Sequence, residues 1–279
     1  MQTKNKFIAF VDILGFSALV KAEEQSGRDL SRSLELVKLL GSSERKCQPS
    51  ICPHSRRLAP DIDFKMTQVS DCVVVSAEVS PAGVMNLAHY CFGIAITLLN
   101  KGALCRGYMT RGNIFHDDHQ FIGTGYVHAV ENEKSVAFMR ADVEEEGTPF
   151  IQIDETVTDY VRSESDDCVR KMFARIVRSD ESYTAIYPFE AMSKVPSSLI
   201  TWDFNPKDWK ANLQKSLGYR EQDLAVFEEA ERLAVGDKAK RKVRHYKRGL
   251  EEVIERLRVR EAALDRMIST GIIPHGGTW

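Results

Sequence analysis

Apolar residues crowd first into one unbroken run, Phe7 to Val11, inside a segment 6–12 that predicts a buried strand. Residues 26–42 change period. Leu30, Leu34, Val37 and Leu40 mark the inner stripe of a helix that Gly41 is placed to stop. The stretch 42–60 is polar and carries prolines, which predicts a surface loop. "DIDFKMTQVSDCVVVSAEV" then reads as two strands broken around Val69–Ser70–Asp71, a hairpin with a carboxylate just past its tip. Ser80 as N-cap and Pro81 at the first helical position open a helix ending at Gly102, with Val84, Leu87, Cys91, Ile94 and Leu98 as its core stripe.

"ALCRGYMTRGNIFH" predicts strand, tight turn, strand, and "GTGYVHAVENEKSVAF" a glycine-led helix. "FIQID", "FARIV" and "YTAIYPF" supply short strands. From about residue 205 the chain is charged and helical, and Val243, Tyr246, Leu250, Val253 and Leu257 alternate by threes and fours as in helix-on-helix packing. The order β-α-β-β-α-β predicts an α+β, ferredoxin-like domain over 1–200 with a helical C-terminal extension over 201–279.

At 279 residues and 43% apolar content the chain can bury one large core. Thirty-eight basic against 40 acidic residues leave a charge of −2, so no global basic field argues for nucleic acid. No apolar run is read as reaching the ~18–20 residues of a membrane span, and the N-terminus lacks a signal-peptide layout. Six cysteines without paired CxxC spacing predict reduced thiols and a cytoplasmic protein. Cys47, Cys52 and His54 invite a zinc reading, but no second ligand pair accompanies them.

Asp12 ends an apolar strand, where an unpaired carboxylate is costly. In a β-α-β-β-α-β sheet the first and third strands are neighbours, so Asp71 approaches it across 59 residues of chain. Two such carboxylates repel unless a cation lies between them. Mg²⁺ or Mn²⁺ suits oxygen ligands of this kind, with substrate phosphates completing the shell. Gly15 permits close backbone approach, and a helix beginning near Phe16 offers N–H groups to an anion. The bland alternative is that each Asp merely caps a turn or helix.

At these residues the chain resembles the class III nucleotidyl cyclases. "FVDILGFSAL" is similar to their first metal motif and "FKMTQVSDCVVVSAE" to their second, while "LCRGYMTRGNIF" and "FIGTGYVHAVENE" fall where the family has its later hairpin and dimer-face helix. The likeness covers residues 6 to about 190. Where purine cyclases have a Lys four residues before the second Asp, this chain has Thr67; where they have an Asn-x₃-Arg pair, it has His128 and Asn132. The pattern Arg-Gly, four residues, Gly (Arg106 to Gly112) and the helix with two glutamates look like the pyrimidine cyclases of Pycsar antiphage defence.

That resemblance implies a homodimer with sites at its interface, cyclising UTP, or alternatively CTP, into a messenger for a separate effector. It implies two Mn²⁺ or Mg²⁺ ions held by Asp12, Asp71 and the Ile13 carbonyl, with the N–H groups of Leu14, Gly15 and Phe16 on the phosphates. Thr67 falls at the base, and Phe64 is either an aromatic wall there or a core residue. Arg106 and Arg111, read at either end of a hairpin turn, are candidates to meet the transition-state charge, or else solvated strand-edge arginines. A reading of another class is a non-catalytic nucleotide sensor. The basic run 238–248 is read as a solvated helix face rather than a nucleic-acid site.

Overall fold

The structure, a computed structural model, describes residues 2–27, 29–42, 62–192 and 205–271. Cys47, Cys52 and His54 lie outside them. Two compact units divide the chain, Met1–Pro188 and Phe189–Trp279.

The first unit runs β1 (Lys4–Ile13), α1 (Phe16–Gln25), α2 (Ser31–Ser42), β2 (Phe64–Val69), β3 (Cys72–Glu78) and α3 (Pro81–Leu99). It continues with β4 (Cys105–His116), β5 (Phe121–Ile122), α4 (Thr124–Glu133), β6 (Ile151–Ile153), α5 (Glu155–Ser163), α6 (Asp167–Ala174), β7 (Val177–Ser179) and β8 (Thr184–Ile186). The strand order is β2-β3-β1-β4-β6-β8-β7, with β5 paired to β4. Its first four members give the ferredoxin-like order, so the expected α+β fold is present, extended on the β4 side.

Alternation along the strands gives the sheet two different faces. Phe7, Ala9, Val11, Val73, Val75, Ala77 and Met109 join α3 in the main core. Ile8, Val74 and Ile114 meet Ala129 of α4 on the other face, with Phe10, Phe121 and Tyr126 against them. α3 starts as expected, Gly83 N donating to the Ser80 hydroxyl at 3.0 Å. Its 19 residues carry no charge, so, contrary to the composition reading, one helix is long and apolar enough to cross a membrane. Here it is mostly buried inside the sheet unit.

Other expectations need correction. β4 is one continuous strand, not two around a turn, because every residue from Lys4 to Ile13 pairs with it. On α2 the buried positions are Ser33, Leu36 and Leu40, while Leu30 and Leu34 are exposed. Glu23 of α1 sets that rotation by accepting from Arg32 N at 3.0 Å and Ser33 N at 3.2 Å. The helix passes through Gly41, which makes room for the Gln68 side chain rather than stopping it. Cys168 is disulfide-bonded, against the reading of six reduced thiols, whereas Cys72, Cys91 and Cys105 are thiols. Sequence spacing cannot reveal a bond between distant cysteines, and the cytoplasmic reading loses that support.

In the second unit α8 (Pro206–Leu233) and α9 (Asp237–Thr270), which follow the short α7 (Pro188–Met192), lie antiparallel, as Lys210–Asp265, Arg258–Glu221 and Lys247–Glu231 pairs require. Val243, Tyr246, Leu250, Val253 and Leu257 are all buried within this single chain. The stripe is therefore covered by the chain's own residues, as helix-on-helix packing requires. Arg244 and Lys247 of the basic run both pair with Glu231 and His245 is buried, so the run is not a free cationic face.

Candidate active site

Three backbone elements converge where β1 ends. Asp12 stands opposite Cys72 on β3 and opposite Arg106 on β4. Asp71 is the second residue of the two-residue β2–β3 turn, whose first residue, Ser70, takes a left-handed φ of 55°. Ile13 N donates to Asp71 O at 3.1 Å, which ties the turn to the strand end. The chain thus brings Asp71 to the end of β1, near enough for its charge to raise the Asp12 carboxyl.

α4 brings a third. Gly125, Ala129 and Glu133 are its buried positions, spaced i, i+4, i+8. Gly125 lies against Gly112 of β4 so closely that a Cβ on either would overlap the other's backbone. This approach seats α4 on the sheet and carries Glu133, 3% exposed, to the end of β1. There its Oε1 accepts from Arg106 Nε. The helical spacing was a readable signal for Glu133, but an acidic residue at the end of "GYVHAVENE" gives no hint of which strand it meets.

The electrostatics follow from this crowding. Burial first, then the charges of Glu133 and Asp71, push the Asp12 carboxyl up to about 7, with Arg106 opposing. The Cys72 thiol is raised to about 11 by burial and by the same three carboxylates. At the end of β1 the charges of Asp71 and Glu133 therefore act on Asp12 against that of Arg106. That donor set fits a hard divalent cation. Among the described residues no three or more His, Cys, Asp or Glu side chains gather as a metal cage. The residues that would hold such an ion are Asp12, Asp71 and the Ile13 carbonyl.

α1 begins at Phe16 behind Gly15, which holds φ 77°, and no side chain caps this helix. Its first-turn amides at Gly15 and Phe16 remain available to an anion. The Leu14 amide does not, since it donates to Leu104 O at 2.9 Å.

Other candidates are dispersed by strand alternation. Arg111 pairs in register with Phe7 on the opposite face, where it donates to Asn5 Oδ1 at 2.8 Å and lies 5.9 Å from the Tyr160 ring. Five residues from Arg106 along one strand also separates them by about 16 Å. Phe64 faces the main core, edge-on to Tyr90 at 5.9 Å, so of its two readings the core one holds. Thr67 does share the Asp12 face, and its hydroxyl lies 3.1 Å from His116 Nε2. His116 was not singled out from sequence; its Nδ1 lies 2.8 Å from Ser76 Oγ, and burial lowers its pKa to about 4. His128 contacts Thr110 Oγ1 at 3.2 Å, and Asn132 donates to the backbone of its own helix.

No protein-family model and no curated protein matches the chain. Among solved structures, the catalytic core of a rhodopsin-guanylyl cyclase with converted specificity, in complex with ATPαS, is similar with TM-score 0.40 and 9% identity, over 67% of this chain and 97% of that one. A class III adenylyl cyclase-like ATP-binding protein from Pseudomonas aeruginosa gives 0.41 and 12% over 68% of this chain, which spans 40% of that protein's length. Likeness at this level carries no argument about activity, which rests on the site.

Proposed function

We propose that the first unit is a nucleotidyl cyclase domain of the class III type, cyclising a pyrimidine nucleoside triphosphate. The observation that carries the reading is the pair Asp12 and Asp71, held at adjacent strand ends in front of the uncapped α1 N-terminus. Carboxylates for divalent ions beside amides for phosphate are the parts a phosphoryl-transfer site needs.

In the reaction the substrate's 3′-oxygen forms a bond to its own α-phosphorus as the bond to the β-phosphate bridge breaks and pyrophosphate departs. Asp12, Asp71 and the Ile13 carbonyl would hold the two Mn²⁺ or Mg²⁺ ions, which when bound acidify the attacking hydroxyl and neutralise the triphosphate. Gly15 and Phe16 amides donate to the outer phosphates. Arg106, on the Asp12 face, meets the charge that develops as pyrophosphate leaves.

For the base we propose uracil before cytosine. Thr67 offers a small hydroxyl where purine cyclases extend a lysine, and with Phe64 turned into the core and Arg111 on the other face the support narrows to Thr67. The homodimer with shared sites, and a messenger role in antiphage defence through a separate effector, follow from the sequence resemblance alone. The test is incubation of the full chain with each of the four ribonucleoside triphosphates and Mn²⁺, with mass detection of cyclic product and pyrophosphate. Cyclic UMP is expected. Cyclic AMP or cyclic GMP as main product overturns the pyrimidine assignment, and nucleotide binding without pyrophosphate release replaces the cyclase by a sensor.

A further inference from the structure

The geometry assigns to Glu133 a positioning role: it clamps the Arg106 guanidinium beside Asp12 with its terminal N–H groups left open to an anionic ligand. The inference deepens the nucleotide reading above and rests on it.

Arg106 is held on two sides. Its Nε–H is taken by Glu133 Oε1, a charge-assisted contact between side chains only 15% and 3% exposed. Against it stands Gly147, at φ +67°, where any Cβ would overlap Arg106 Nη1. A guanidinium has five N–H donors. Apart from the one on Nε, none has a protein acceptor among the described residues. An arginine this buried, fixed at Nε and unfilled at its ends, is pre-organised for an anion rather than for the fold.

Glu133 is then not a metal ligand but the residue through which Arg106 acts. Its Oε1 is already engaged by the guanidinium, and the small residues Gly125 and Ala129 that seat α4 stand at the spacing that delivers it. Losing Glu133 leaves Arg106 in place but free to swing away from the phosphates.

The test is a double-mutant cycle on the full chain with Glu133→Gln, Arg106→Lys and both together, measuring calorimetric affinity for inorganic tripolyphosphate in Mn²⁺. Each single change is expected to weaken binding about tenfold, and the double no more than Arg106→Lys alone. Additive losses overturn the clamp. So does a tenfold loss of Mn²⁺ affinity in Glu133→Gln, which would make Glu133 a ligand. The second readout needs no ligand: the Arg106 Nε–H NMR signal, identified by its absence in Arg106→Lys. It is expected downfield and slow to exchange in the wild type, and shifted and fast in Glu133→Gln. An unchanged signal overturns the clamp. If the wild type binds no tripolyphosphate while the signal responds, the nucleotide reading and the ligand role fall and only the ion pair stands. Should Glu133→Gln not fold, Glu133→Asp, which keeps the charge but withdraws it by one methylene, serves in the same cycle.

Discussion

Arg106 stands directly across from Asp12 in the β1–β4 ladder, yet its guanidinium closes on Glu133 of α4. Asp12 consequently has no ion pair among the described residues, and the charges of Glu133 and Asp71 act on it. The fold tolerates this at a cost that a divalent ion would remove.

The cost is measurable. Asp12 binds its proton up to about pH 7 in the fold but loses it in the ordinary carboxylate range when unfolded. Stability therefore falls as pH rises from about 4 to 7, and the penalty is complete above that. In chelator at pH 8, Asp12→Asn is expected to be more stable than wild type by about 1–2 kcal/mol, a figure reduced for a partly exposed group. The gap should close near pH 4. Saturating Mn²⁺ should raise the melting temperature of the wild type and not of the variant. Equal stability at both pH values would refute the assignment.

The seating of α4 gives a second expectation. Gly125→Ala places a methyl into Ile8 Cδ1 and the Gly112 backbone, and should cost about 1–3 kcal/mol in urea unfolding. Gly218→Ala, on α8 with nothing within 4 Å of the new Cβ, should instead stabilise by about 0.5–1 kcal/mol. No destabilisation by Gly125→Ala would mean the Gly112–Gly125 contact is not tight.

His116 provides a pH response of opposite sense. Burial, then Lys6, lowers its pKa to about 4 from an ordinary value near 6.5. Stability is whole above about 6.5 and lost as pH falls, because the unfolded chain takes the proton first. The expected loss by pH 5 is about 1–2 kcal/mol, absent in His116→Gln. Parallel pH curves for the two proteins would discount it.

The two arginines of β4 should separate. Arg111→Ala, on the face away from Asp12, is expected to leave nucleotide and tripolyphosphate affinity within about twofold of wild type, whereas Arg106→Ala loses tenfold or more. Equal losses would mean the ligand reaches the other face of the sheet.

Local chemistry determined much of this protein in advance. The run Phe7–Val11, the Ser80–Pro81 helix start and the α9 stripe follow from period and capping, which act over a few residues and survive into any fold that keeps those elements. The pairing of β1 with β3, which sets Asp12 across from Cys72 next to Asp71, was also legible, since strand order in a β-α-β-β-α-β unit makes the first and third strands neighbours. Tertiary structure decided which face each side chain takes. One continuous β4 in place of a hairpin sends Arg111 and Arg106 to opposite sides, because strand side chains alternate and the two are an odd number of residues apart. Register with Ala77 turned Phe64 into the core, and Glu23 rotated α2 off its predicted stripe. Glu133 meets Arg106 only because two glycines, 13 residues apart in the chain, let a helix lie on the sheet. Such contacts are fixed by close packing between distant segments, and no local periodicity encodes them.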